Sequence, residues 1–125
     1  MPRGTILRGD QSDREDLIRA ARKAGWSFGI IVDDGSHQSS HQQISLGALF
    51  PYLAPGGLYV IEDLSWQPDP LEQPRTADLL RQWAKDGTLR TDFITDEEKK
   101  FLAANVASIE FAKPFNSEMV VLTRK

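Results

Sequence analysis

The sequence predicts an α/β domain built on a mostly parallel sheet, and three observations carry that reading. Phe28-Gly29-Ile30-Ile31-Val32 and Leu58-Tyr59-Val60-Ile61 are short apolar runs rich in β-branched residues, the pattern of strands buried on both faces. Between them Leu46, Leu49, Phe50 and Leu53 recur at helical spacing, so the segment reads as a right-handed βαβ unit with parallel strands. Both runs then stop in acidic residues, Asp33-Asp34 followed by Gly35-Ser36-His37, and Glu62-Asp63. Sheets of this type bind their ligands just beyond the carboxyl ends of the strands.

The elements follow in order. Thr5-Ile6-Leu7 reads as a brief strand stopped by Gly9-Asp10-Gln11. Ser12 with Glu15 is a capping-box pattern. It opens a helix whose apolar stripe is Leu17, Ile18, Ala21 and Ala24, with Gly25 just past its end. Arg14, Arg19, Arg22 and Lys23 read as its solvated face. After the first central strand, Ser39 or Ser40 is placed to cap the second helix. Pro55-Gly56-Gly57 ends that helix and turns the chain into the next strand. Residues 65–75 hold three prolines and no periodicity, an irregular loop placed to act as a lid or substrate wall. Leu79, Leu80 and Trp83 mark a helix that Gly87 ends, and Thr95 with Glu98 caps another. Val106-Ala107-Ser108-Ile109-Glu110-Phe111 and Met119-Val120-Val121-Leu122 close the fold as an antiparallel hairpin around the turn formers Lys113-Pro114-Phe115-Asn116-Ser117.

Composition sets the limits. The 125 residues suit one domain, 1–125, with 40% apolar and 26% charged residues, the balance of an ordinary soluble protein. A net charge of −3 argues against a nonspecific nucleic-acid binder. The absence of cysteine removes disulfides, iron–sulfur clusters, thiolate zinc sites and thiol nucleophiles together, and is compatible with a cytoplasmic home. No apolar run approaches the roughly 18 residues of a membrane span.

Two neighbouring parallel strands that each end in two acids bring like charges together, which is costly unless a shared proton or a cation neutralises them. Oxygen donors without cysteine favour a hard ion such as Mg²⁺, and Asp34, Glu62 and Asp63 are the chosen set. The alternative is that Asp34 and Asp63 cap turns and water screens the rest. His37, three residues after Asp34, stands beside the same edge and is suited either to general-base chemistry or to hydrogen bonding into the following helix. His41 fits helix packing better than a zinc pair, because the sequence lacks the HExxH glutamate. Ser36 lacks a nucleophile elbow, and Gly56-Gly57 precedes a strand instead of opening a phosphate-binding helix. Trp66, in the proline-rich loop, is a candidate wall for a flat or sugar-like ligand.

Taken together, Ile30-Ile31-Val32-Asp33-Asp34-Gly35-Ser36-His37, His41-Gln42, Leu49-Phe50-Pro51 and Pro55-Gly56-Gly57-Leu58-Tyr59-Val60-Ile61-Glu62-Asp63-Leu64 resemble the class I S-adenosylmethionine-dependent O-methyltransferases. The nearest subgroup is that of the macrolide-sugar enzymes of the mycinamicin and macrocin type. Gly9-Asp10-Gln11-Ser12-Asp13 and Ile109-Glu110-Phe111 extend the resemblance over most of the chain. It implies a Rossmann-like methyltransferase sheet, Mg²⁺ held by Asp34, Glu62 and Asp63, and His37 as the base that takes the proton from a sugar or polyol hydroxyl. It also implies S-adenosylmethionine as methyl donor, with Asp10 and Gln11 as cofactor contacts.

The chain departs from that family at its start. It lacks the glycine-rich strand–loop–helix that holds the cofactor's methionine end, and the acid-tipped strand that binds its ribose. It begins at the third strand of the usual sheet, so the strands that normally separate that strand from Phe28-Gly29-Ile30-Ile31-Val32 are missing. An apolar edge is thereby left open. Either residues 5–8 move in beside it or a second chain covers it, and an oligomer is the expectation. Three functions follow. The first is a methyltransferase or its catalytic half acting on a small-molecule hydroxyl. The second is a non-catalytic binding or assembly module, and the third a metal-dependent hydrolase in which His37 activates water.

Overall fold

The computed structural model describes residues 9–65, 73–114 and 117–125. The predicted strand Thr5-Ile6-Leu7, residues 5–8 as an edge cover, Trp66 and most of the proline-rich loop lie outside the described residues.

Helix α1 (Arg14–Lys23) begins one residue later than the capping box suggests. Asp13 is the cap, and its carboxylate accepts from the amides of Glu15 and Asp16 at 3.1 and 3.3 Å. Ser12 is already committed, its amide and hydroxyl both donating to Asp10 Oδ1. A carboxylate is also the better partner for the positive end of a helix. Gly25, at φ 84°, follows the helix in the left-handed region as expected. Arg14 is a correction, since it is not on a solvated face. Its guanidinium reaches Glu98 Oε2 and the Phe93 carbonyl, both at 2.7 Å.

Strand β1 (Phe28–Asp33) and strand β2 (Leu53–Ile61) pair in parallel, with Ile31 opposite Tyr59 and Asp33 opposite Ile61. Helix α2 (Ser39–Leu49) connects them, giving the predicted βαβ unit. Two expectations about this unit fail. Neither Ser39 nor Ser40 caps α2, because Gln38 holds that position with no side-chain bond. Ser39 instead lies inside the helix, where its hydroxyl accepts from the Thr76 amide. Pro55-Gly56-Gly57 does not end the helix either. The helix stops at Leu49, a 3₁₀ turn spans Phe50–Tyr52 around Pro51, and Leu53 is already strand. The Pro-Gly-Gly segment is a bulge within β2, between the pairings Phe28–Leu53 and Ile30–Leu58. Gly57 is required there, since a Cβ would come within 2.8 Å of the Ala54 carbonyl oxygen.

Helix α3 (Thr76–Asp86) ends at Gly87, φ 77°. Helix α4 (Asp96–Asn105) has the predicted Thr95–Glu98 capping box. Strands β3 (Val106–Ala112) and β4 (Met119–Arg124) form the antiparallel hairpin, and β4 also pairs antiparallel with β2. Among the described residues the sheet has four strands in the order β1-β2-β4-β3. Leu46, Phe50, Tyr59, Ile61, Leu80 and Leu122 are the centre of the core.

The sheet order places β1 at an edge. Its side chains alternate: Ile31 is half-buried under the helices, while Ile30 and Val32 are 62% and 53% exposed on the opposite face. The expectation that β1 is buried on both faces is therefore corrected. A run apolar throughout was read as covered twice, but among the described residues nothing covers its second face. No helix of the described residues is long and apolar enough to cross a membrane.

Candidate metal and acid–base site

Parallel pairing puts the carboxyl ends of β1 and β2 side by side, and the Glu62 amide donates to the Asp33 carbonyl at 3.0 Å. Beyond that point both chains turn sharply. His37 and Asp63 hold positive φ values of 65° and 55°, a conformation uncommon for residues with a Cβ and frequent at functional sites. The turns aim three side chains at one place. His37 Nε2 lies 4.0 Å from Asp34 Oδ1 and 4.0 Å from Asp63 Oδ2. Candidate ligand atoms of Asp34, His37 and Asp63 all fall within 4.8 Å of one another. The carboxylates are open to solvent, while the imidazole side chain is only 18% exposed. Glu62, the third predicted carboxylate, is half-buried and is not part of this group.

Asp33, the first acid of the pair, has a different role. It is buried, and its carboxylate accepts from Gln11 Nε2 at 2.8 Å and from the Gly35 amide at 3.1 Å. Burial pushes its pKa above the ordinary carboxylate value, against the lowering effect of those two bonds. The other end of the Gln11 amide accepts from the Ser36 amide at 3.2 Å. Gln11 thus ties the start of α1 to the loop that carries Asp34 and His37. Gly35 lets it approach, because a Cβ there would sit 2.3 Å from Gln11 Oε1. Asp10, the other predicted cofactor contact, is exposed and caps the turn through Ser12, whose bonds lower its pKa. Ser36 Oγ is 2.7 Å from His41 Nδ1, so His41 supports the loop from α2.

A cleft of about 380 Å³ opens beside Asp33, lined among others by Gln11, Leu17, Ile31, Ser45 and Tyr59. Sequence patterning missed Ser45 and Tyr59, which read as ordinary helix and strand residues. Both hydroxyls are buried, and neither has a hydrogen-bond partner among the described residues. The Tyr59 phenol is pushed well above its ordinary pKa by burial, with Asp33 adding to the effect. A raised phenol pKa in the folded state contributes stability that is fully present below about pH 10 and is lost as pH rises toward the folded value, because the unfolded chain ionises first. Tyr59→Phe is expected to flatten that alkaline loss and to raise stability by about 1 kcal/mol by removing an unsatisfied buried hydroxyl. Denaturant melts of both proteins between neutral and alkaline pH measure both effects.

A parallel βαβ unit with its acids and histidine gathered at one carboxyl edge, closed by an antiparallel hairpin, is part of the methyltransferase type of α/β sheet. The comparisons with known proteins make the likeness particular. Over 58 residues the chain is 55% identical to Mycinamicin VI 2''-O-methyltransferase of Micromonospora griseorubida, a match covering 46% of this chain and 14% of that enzyme. Over 60 residues it is 52% identical to Demethylmacrocin O-methyltransferase of Streptomyces fradiae, covering 48% of this chain and 15% of that enzyme. The solved structure of MycE methyltransferase in complex with Mg, SAH and mycinamycin VI superposes with a TM-score of 0.68 at 32% identity, over 94% of this chain and 31% of that one. An O-methyltransferase family protein from Burkholderia thailandensis shares the fold alone, at 12% identity and a TM-score of 0.52. No family model matches the chain. The resemblance to macrolide-sugar O-methyltransferases read from the sequence therefore holds, for a chain that spans less than a third of the length of these relatives.

Proposed function

We propose that this chain is the metal- and acceptor-binding part of an S-adenosylmethionine-dependent, Mg²⁺-dependent O-methyltransferase acting on a hydroxyl of a sugar or small polyol. The observation that carries this reading is the meeting of Asp34, His37 and Asp63 at the carboxyl edge, in a chain 55% identical over its matched part to a sugar O-methyltransferase.

The donor set suits a hard cation. Mg²⁺ typically takes one or two carboxylates and completes its shell with water and substrate, and Asp34 and Asp63 offer two open carboxylates. Glu62, adjacent to Asp63, is the reserve ligand on the same turn. When bound, the metal supplies polarisation of the acceptor hydroxyl, and the donor's sulfonium supplies an electrophilic methyl group. The protein's own part is proton handling and orientation. His37 Nε2 would take the proton of the acceptor hydroxyl as its oxygen bonds to the methyl carbon and the sulfur–methyl bond breaks, leaving S-adenosylhomocysteine. Gln11 and Asp33 hold the loop that carries His37 in place, and Gln11 lines the cleft beside them, where it and the neighbouring Asp10 would contact the nucleoside end of the donor. The acceptor is a small molecule, not nucleic acid or membrane, and the setting is cytoplasmic.

The open β1 edge belongs to the same proposal. In the intact sheet the Ile30 and Val32 face is covered by protein, and the 125-residue polypeptide by itself covers it through self-association. Sedimentation at micromolar concentration should show a dimer or larger species, and Val32→Lys should shift it toward monomer. A monomeric wild-type chain refutes this part of the reading.

Calorimetric titration with S-adenosylhomocysteine, with and without Mg²⁺, tests the whole. Micromolar binding supports the enzyme. Stabilisation by Mg²⁺ with no nucleoside binding supports the second reading, a cofactor-free binding module.

A further inference from the structure

Asp63 is held from a direction the sequence does not reveal. Ser117, in the connection between β3 and β4, lies 54 residues further along the chain, and its hydroxyl donates to Asp63 Oδ1 at 2.6 Å. That bond occupies one carboxylate oxygen and leaves the other, Oδ2, as the atom facing His37. The hydroxyl is not needed to close its own turn, because the Ser117 amide already does so by donating to the Pro114 carbonyl at 3.0 Å. The neighbouring residues form a rigid mount. The Leu64 amide donates to the Glu118 carbonyl at 2.8 Å, and buried Glu118 pairs with Arg81 of α3. Residues 117 and 118 therefore hold the left-handed Asp63, φ 55°, through its side chain and through the amide that follows it. That backbone conformation is unfavourable without such support.

We infer that Ser117 is a positioning residue for the acidic site, orienting the Asp63 carboxylate so that Oδ2 is presented beside His37 and Asp34 for a divalent cation. The inference rests on the proposal that Asp63 is a metal ligand. Groups that hydrogen-bond a ligand's second atom fix its rotamer, and their loss typically weakens metal affinity by about 10–100-fold.

Mn²⁺ binding, followed by loss of the free-ion electron paramagnetic resonance signal, tests it without any assay of activity. Ser117→Ala is expected to weaken Mn²⁺ binding by about 10–100-fold, while the Leu64–Glu118 backbone bond still holds the turn so that the metal-free variant unfolds cooperatively. Ser117→Thr, which keeps the hydroxyl, should restore binding. If the alanine variant does not fold, Ser117→Cys serves in its place, as a thiol is a weaker donor of similar size. Wild-type binding with undiminished affinity in Ser117→Ala overturns the positioning role alone. Failure of the wild type to bind Mn²⁺ overturns the metal site and, with it, this inference.

Discussion

On the proposed O-methyltransferase reading, His37→Gln is expected to lower the rate constant of methyl transfer by about 10²–10⁴-fold, the usual worth of a positioned general base. Glutamine is near histidine in length and keeps a polar end but cannot take the proton. The geometry makes a second readout decisive. His37 Nε2 stands 4.0 Å from each of two carboxylates, a position suited either to a base beside the metal or to a ligand of it. A base predicts that the variant binds Mg²⁺ as the wild type does while turnover collapses. A ligand predicts that affinity falls together with rate. Single-turnover kinetics at saturating Mg²⁺, paired with a binding titration, separates the two.

The second large effect concerns the acids. Asp34→Asn should weaken divalent-cation binding more than ~100-fold, beyond the range seen when only a ligand's supporting hydrogen bond is lost. Its effect on stability should change sign with the metal. Without metal, the wild type brings two carboxylate groups to within 4.8 Å at their candidate ligand atoms, and replacing one by an amide removes a like charge from the pair. The variant should then melt slightly higher. With millimolar Mg²⁺ the wild type gains stability by mass action and the variant does not, so their order reverses. Thermal melts of both proteins with Mg²⁺ and with a chelator show this directly. Absence of the crossover would argue that the cluster is only a pair of capped turns.

The site was legible in the sequence where its chemistry is local. Asp34 and His37 are three residues apart, and Asp63 follows a strand whose parallel pairing with β1 is predictable. Glu62 shows the limit of that approach. It adjoins Asp63 in the chain but lies outside the group formed by Asp34, His37 and Asp63, and the positive φ at Asp63 is not written in residue type. Gln11 was assigned to a cofactor by resemblance, and the structure adds that both ends of its amide are engaged, with Asp33 and Ser36. Nothing in its immediate neighbours announces that bond across the fold. Ser117 is the same case at longer range.

The helix ends divide in the same way. Gly25, Gly87 and the Thr95–Glu98 box lie where residue chemistry alone puts them, because a left-handed φ or a reciprocal cap is a property of a few adjacent residues. The start of α2 misled because Ser39 serves a tertiary contact with Thr76 instead of its own helix. Arg14 misled because α4 brings Glu98 to it, across a position in α2 where only Gly47 fits: a Cβ there would meet Glu98 Oε1 at 2.5 Å.

The sequence by itself determined the α/β class, the parallel βαβ unit, the closing hairpin and the carboxyl edge where the acids and His37 gather. Those features follow from hydrophobic period and turn chemistry, which act over a few residues. Only the tertiary structure decided that, among the described residues, the Ile30 and Val32 face of β1 is uncovered, and that Gln11 and Ser117 are bonded to the segments that carry the site. It alone also left Glu62 out of the group formed by Asp34, His37 and Asp63. Each depends on which distant segments meet, and neither period nor composition encodes such a meeting.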